Sequence, residues 1–280
     1  MSVNKNIFGS ISRAMSRLSH KLNRYLNLVK HFSNWPQYLL FKLTATRGRS
    51  FAFQLRNSFK ITVPANMLGP FRECFLDELY LKHIDVASLQ KKDLTIIDIG
   101  ANVGYFALFM FYKFPRARIL SFEPIPYCFN VLKNYQQQYP AFNWKVFQNA
   151  ITDKDATIEI YTDKENDFST TSSLFFTDKA FRLEVTGKTL QHFIDAENID
   201  SINFLKLDCE GAEYSILHSL PESIWQKVEN ISLEAHHMAG EGENTENLVS
   251  FLKTKGFTVD FVLKRGAGMV GGSRVMSYEL

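Results

Sequence analysis

The sequence predicts an α/β fold, a mostly parallel sheet with helices on both faces, preceded by a helical and hairpin extension. Three observations carry this. From Leu94 onward strand and helix patterns alternate. The stretch "LTIIDIGANVGYFALFMFYKF" runs an apolar strand into a glycine turn and then a helix. Acidic and glycine residues recur where successive strands end. Alternation of this kind is the pattern of parallel strands joined by helical crossovers.

The elements follow in order. Thr95–Ile99 reads as a strand and Val103–Phe114 as a helix. Ile119–Glu123 is a strand, Tyr127–Tyr139 a helix, and Trp144–Gln148 a third strand. Phe204–Asp208 and Ile231–Glu234 are short strands with a helix between them. Asn244–Lys255 is a helix, and Phe257–Leu263 with Val275–Leu280 read as a closing antiparallel pair. The glycine-rich segment between them, "KRGAGMVGGSR", reads as a lid or a hairpin connection. Residues 153–186 break the rhythm with "ATIEIYT", "SSLFF" and "FRLEV", and read as an inserted β segment.

Ahead of the sheet, Ile7, Ile11, Met15, Leu18, Leu22, Tyr25 and Val29 recur at steps of three and four. They define an amphipathic helix with Arg13, Arg17, Lys21 and Arg24 largely off the apolar face. A short helix from Trp35-Pro36 follows, then a hairpin across "RSFAFQLRNSFKITVP". Phe71–Leu89 has helical periodicity. The domain reading is therefore a basic extension over residues 1–70 and a larger domain over 71–280.

Charge supports that division. Residues Met1 to Arg72 hold 12 Lys/Arg and no Asp or Glu, leaving 20 basic and 29 acidic residues for the rest. The basic helix suits packing on an acidic body or peripheral membrane contact through residues 1–30. An Arg- and Ser-rich, acid-free start also resembles a transit peptide. Cys74, Cys128 and Cys209 are odd in number and widely spaced, which argues for reduced thiols in a cytoplasmic compartment. No apolar run reaches the roughly 18 residues that a membrane span needs. No nucleic-acid partner is assigned.

Ligands of parallel sheets bind beyond the carboxyl ends of the strands. There lie Gly100-Ala101-Asn102-Val103-Gly104, Glu123-Pro124, Asn149-Ala150, Asp208-Cys209-Glu210-Gly211, and Glu234-Ala235-His236-His237. The turn lacks the second and third glycines of a dinucleotide fingerprint and the Gly-Lys-Ser/Thr of a P-loop. Glu123, at the end of the next strand, is placed to accept hydrogen bonds from both hydroxyls of a ribose. A ribose-bearing cofactor without a diphosphate suits this set, and S-adenosylmethionine answers that description. Its sulfonium also tolerates nearby carboxylates.

The blocks "IIDIGANVGYFAL", "LSFEP", "FLKLDCEGAEYSIL" and "ISLEAHH" resemble the FkbM-type methyltransferase family, within the class I S-adenosylmethionine-dependent methyltransferases. The likeness runs from about Phe71 to the C-terminus. It implies a Rossmann-like sheet of seven strands with one antiparallel, and O-methylation of a hydroxyl on a sugar, polysaccharide, glycolipid or secondary metabolite. By the same resemblance Asp98 orients the turn or meets the methionine amino group through water. Gly100, Ala101, Asn102 and Gly104 line the methionine and ribose, and Glu123, with Pro124 beside it, binds the ribose diol. Asn149 and Ala150 edge the adenine, and Asp208 sits beside the transferred methyl.

A hydroxyl acceptor must lose a proton as it attacks. Candidates for that work are Asp208, Glu210, His236 and His237. Asp208, Glu210, Glu234 and His236 also have a spacing that allows a divalent ion, but form no dedicated metal motif, so no metal ligand is assigned. Two other classes stay open: a noncatalytic nucleoside-binding or membrane-docking protein of the same fold, and a nicotinamide-dependent oxidoreductase. The acceptor is a small molecule or glycan that the sequence does not name.

Overall fold

The computed structural model describes residues 18–19, 21–44, 49–56, 59–90, 93–162, 181–237, 243–264 and 267–274. The chain divides into two compact units, Met1–Leu79 and Tyr80–Leu280.

The first unit contains helix α1 (residues 21–31) and helix α2 (Trp35–Thr44). A hairpin of β1 (Ser50–Gln54) and β2 (Lys60–Pro64) follows, then helix α3 (Leu68–Phe75). The hairpin pairs Gln54 with Lys60 and Ser50 with Pro64. Its core is aromatic: Phe53 stacks on Phe71 at 4.3 Å, Phe71 on Phe75 at 4.8 Å, and Phe32 lies 5.0 Å from Phe53. Burying each such ring contributes about 1.5–3 kcal/mol, which lets this small unit close round few residues. Helical periodicity over Phe71–Leu89 gives way after Phe75 to 3-10 turns at Leu79–Leu81 and Val86–Leu89. Of the predicted N-terminal stripe, Ile7, Ile11 and Met15 lie outside the described residues. Leu18, Leu22, Tyr25 and Val29 are exposed, and α1 instead buries Leu28 and His31. No helix among the described residues is long and apolar enough to cross a membrane.

The second unit is built on a seven-stranded sheet. In chain order its strands are β3 (Thr95–Ile99), β4 (Arg118–Phe122), β5 (Asn143–Phe147), β9 (Phe204–Leu207), β10 (Asn230–His236), β11 (Phe257–Lys264) and β12 (Ala267–Arg274). Their spatial order is β11-β12-β10-β9-β3-β4-β5. The central pairs are parallel, and β12 alone runs against both of its neighbours. Helices α4 (Tyr105–Lys113), α5 (Pro126–Gln138), α7 (Glu213–Ser219), α8 (Glu222–Trp225) and α9 (Thr245–Thr254) make the connections. Pro221 stands between α7 and α8, where the sequence pattern suggested one helix.

A smaller sheet joins β6 (Ala150–Ile151), β8 (Phe181–Lys188) and β7 (Ala156–Thr162). It accounts for "ATIEIYT" and "FRLEV"; "SSLFF" lies outside the described residues. Helix α6 (Leu190–Ala196), absent from the sequence reading, begins where the Thr189 hydroxyl accepts the His192 N–H at 3.3 Å. Among the described residues Cys74, Cys128 and Cys209 form no disulfide.

The C-terminal reading needs correction. The partner of Phe257–Lys264 is Ala267–Arg274, within the glycine-rich segment expected to be a lid or a hairpin connection, while residues 275–280, expected as the closing strand, lie outside the described residues. Close packing explains the glycines. A Cβ on Gly268 would come within 2.4 Å of the Thr245 hydroxyl, and one on Gly271 within 2.5 Å of His83. Neighbours fill the space that side chains occupy in an ordinary strand, so the composition imitates a loop.

Candidate active site

The turn after β3 is fixed by backbone conformation. Gly100, Asn102 and Gly104 all have positive φ, at 72°, 50° and 87°. Asparagine is one of the few side chains that tolerates this region, so it serves where a second glycine might be expected. Gly100 is irreplaceable on space alone, since a Cβ there would lie 1.8 Å from the Asp208 carbonyl oxygen. The N–H groups of Gly100 and Ala101 both donate to the Phe122 carbonyl, at 3.1 and 3.0 Å, which ties the turn to the end of β4.

Glu123 completes that tie. Its Oε2 accepts the Asn102 N–H at 2.7 Å and its Oε1 accepts the Ile125 N–H at 2.8 Å. Each oxygen keeps a further lone pair for a ligand. The side chain is buried, and burial pushes its carboxyl up to about 7 against the pull of those two N–H groups. The Asn102 amide oxygen is also buried and has no hydrogen-bond partner among the described residues.

Behind the turn lies a residue the sequence reading did not single out. Lys206 sits in β9 as the register partner of Asp98 in β3. Its ammonium donates to the carbonyls of Gly100 (2.7 Å) and Ile99 (3.2 Å), and pairs with Asp98 Oδ1 at 3.2 Å. Burial pulls its pKa down, but the charges of Asp98 and Asp208 outweigh that and hold it raised. Asp98 is fully buried; its other oxygen accepts the Ser121 hydroxyl at 3.2 Å. Asp98 thus reaches the turn through Lys206. A buried lysine in a strand demands a carboxylate partner, and that demand was the readable signal.

The mouths of β9 and β10 gather the other candidates. Tyr80 donates its hydroxyl proton to Asp208 Oδ2 at 2.6 Å. Glu213, the first residue of α7 and wholly buried, accepts the N–H groups of Cys209 (2.8 Å) and Gly211 (2.9 Å). Its Oε1 also lies 3.1 Å from His236 Nδ1. At the start of α7, where the helix dipole favours a carboxylate, Glu213 therefore also clamps the preceding loop. Within that loop Glu210 has φ 53° and lies 3.5 Å from His236 Nε2.

Burial pulls His236 down, but the hydrogen bond and charge of Glu213, with Glu210 and Asp208, raise it to about 9. Burial pushes Glu210 up to about 7, with Asp208, Glu213 and Glu234 adding to the rise and His236 opposing it. His236 is thus charged at neutral pH, and Glu210 titrates there. Asp208, Glu234 and His236 place one ligand atom each within 4.8 Å of one another, close enough to surround a divalent cation.

The remaining candidates take other positions. His237 is exposed and its Nε2 lies 2.9 Å from the Thr245 hydroxyl. Pro124 follows Glu123 and is half-buried. Asn149 donates to the Thr186 carbonyl at 3.3 Å, and Ala150 is buried in the small sheet as the partner of Gly187.

A seven-stranded sheet in this order, with one reversed strand and a glycine turn braced by an acidic residue on the next strand, defines a Rossmann-like methyltransferase of class I. The family model described as the methyltransferase FkbM domain matches residues 98–259, more than half of the chain. The chain belongs to the FkbM methyltransferase family. It is 27% identical over 206 residues to Methyltransferase 1 of Beauveria bassiana, spanning 67% of this chain and 80% of that one. It is 27% identical over 223 residues to the 31-O-demethyl-FK506 methyltransferase FkbM of Streptomyces tacrolimicus, spanning 68% and 81%. Among solved structures, the methyltransferase FkbM of Methylobacillus flagellatus superposes with a TM-score of 0.48 at 15% identity, over 72% of this chain and 52% of that one.

Proposed function

We propose that this methyltransferase uses S-adenosylmethionine to methylate a hydroxyl oxygen, on a sugar, glycolipid or secondary metabolite. The observation that carries the reading is the buried Glu123 carboxylate, bonded to the turn yet holding free lone pairs. Those lone pairs suit a ribose diol, and the unpartnered Asn102 oxygen suits a donor on the same ligand. When bound, S-adenosylmethionine supplies a methyl group on a sulfonium leaving group.

The chain's own contribution is alignment and proton handling. The Gly100–Gly104 turn offers its backbone at close range, and Lys206 keeps that turn in place from behind. Glu210 is the group suited to hold the proton that the acceptor hydroxyl gives up, because its carboxyl titrates near 7. His236 is less suited as a base, since it is already protonated at neutral pH, and it acts by steadying the carboxylate form of Glu210. The name of the Streptomyces relative, a 31-O-demethyl-FK506 methyltransferase, supports oxygen as the methylated atom.

Titration calorimetry tests the cofactor. S-adenosylmethionine and S-adenosylhomocysteine are expected to bind and NAD is not; binding of NAD alone would overturn the reading. Mass spectrometry of candidate glycans and lipid-linked sugars, looking for the gain of one methyl group, tests the acceptor.

A further inference from the structure

We propose that the first unit carries a docking surface for an anionic lipid bilayer, formed by the outer face of α1 and supplemented by α2. On α1, Leu22, Leu26 and Val29 fall on one side of the helix at steps of four and three, Leu18 lies four residues before Leu22, and all four are exposed. The opposite side, with Leu28 and His31, is the one that the unit buries. On α2, Tyr38 and Phe41 are buried while Leu40 and Leu43 are exposed, Leu43 at 85%. Helices of a soluble unit seldom show apolar stripes of this extent without a partner surface.

Charge identifies the partner. Helical geometry sets Lys21 and Lys30 along the two borders of the α1 stripe, and both are exposed. Lys42 of α2 stands beside the stripe, 3.4 Å from the Tyr25 hydroxyl. Residues 1–72 contain no acidic side chain to offset these cations. Two carboxylates that follow are already engaged: Asp77 binds Arg24 at 2.8 Å, with Arg72 at 3.7 Å, and Glu78 binds His31 at 2.9 Å. An apolar stripe edged by lysines on a helix too short and too polar to span is the form of an interfacial helix. Such a helix lies in the headgroup plane with its apolar side in the acyl boundary. Each lysine near an anionic leaflet adds attraction that salt screens.

The test uses the full chain and is read without turnover, so it stands apart from the methyl-transfer reading. Wild type is expected to sediment with vesicles of phosphatidylcholine mixed with phosphatidylglycerol. It should stay in solution with phosphatidylcholine alone and leave the mixed vesicles in high salt. Leu22→Glu/Leu26→Glu should lose roughly tenfold or more in vesicle partitioning, since it removes buried methylenes and adds two anions. Lys21→Glu/Lys30→Glu should weaken binding in low salt only. Both positions are exposed, so circular dichroism and melting should match wild type. Failure of wild type to bind mixed vesicles would overturn the proposal, as would equal binding by the leucine variant. A wild-type dimer in light scattering that the leucine variant dissociates would overturn it too, by assigning the stripe to a second copy of the chain.

Discussion

Lys206 and Asp98 face each other across adjacent parallel strands, 3.2 Å apart, with 3% and none of their side chains exposed. The pair lies directly behind the glycine turn, and the lysine spends its other hydrogen bonds on the carbonyls of Ile99 and Gly100. A buried ion pair contributes little net stability over an apolar pair, because desolvation offsets attraction. Its value here is positional.

Removing one partner strands a buried charge. Lys206→Met should destabilise the protein by roughly 3–5 kcal/mol, and Asp98→Asn by a comparable amount. The double variant should recover part of that loss while still binding cofactor poorly, because the turn has lost its brace. Denaturant titration of the three variants measures the coupling. Additive losses would show that the two residues act separately.

Glu123 links cofactor affinity to pH. Its folded pKa of about 7 lies above the ordinary 4.5, so the folded state holds the proton more tightly. The resulting stability is fully present below 4.5 and is lost as pH rises through 7. Without cofactor, Glu123→Gln should therefore flatten the decline between those values. The same variant should weaken S-adenosylhomocysteine binding roughly ten- to a hundredfold, the worth of a charged hydrogen-bond acceptor. An unchanged affinity would remove Glu123 from the cofactor site.

Turnover at saturating cofactor should rise with pH through a single ionisation near 7, as Glu210 becomes a carboxylate. Glu210→Gln should lower kcat roughly a hundred- to ten-thousandfold with cofactor affinity kept. His236 favours the carboxylate form of Glu210, so His236→Asn should shift the profile to higher pH. A profile that stays in place would disconnect the two residues.

The trio Asp208, Glu234 and His236 leads to a separate expectation. With Nδ1 of His236 at Glu213 and its ring charged at neutral pH, the trio should attract a cation weakly. Turnover should therefore survive EDTA treatment. Activity lost to EDTA and restored by magnesium or manganese would show that a metal displaces that proton.

The parallel half of the sheet was legible because its signals are local. Thr95–Ile99 is an apolar run that ends in glycine, and the strand occupies those same residues. Glu123 was legible because a carboxylate at a buried strand end needs partners. The strand β12 was hidden, since Gly268 and Gly271 are set by what packs on them, Thr245 and His83, from distant parts of the chain. Lys206 was hidden in a different way: "FLKLD" reads as an apolar strand with one polar interruption, and its meaning comes from Asp98 on the neighbouring strand. The α1 pattern was legible as a stripe, but periodicity reports that apolar residues share a face and not what covers it.

Glu213 bears on which positions around the site can change freely. Two of its three partners are the N–H groups of Cys209 and Gly211, which no replacement except proline removes. The loop between β9 and α7 is thereby held by a contact that mutation elsewhere barely touches. Replacing Glu213 itself, by contrast, would release both N–H groups at once, so the loop's tolerance to change is concentrated away from that one position.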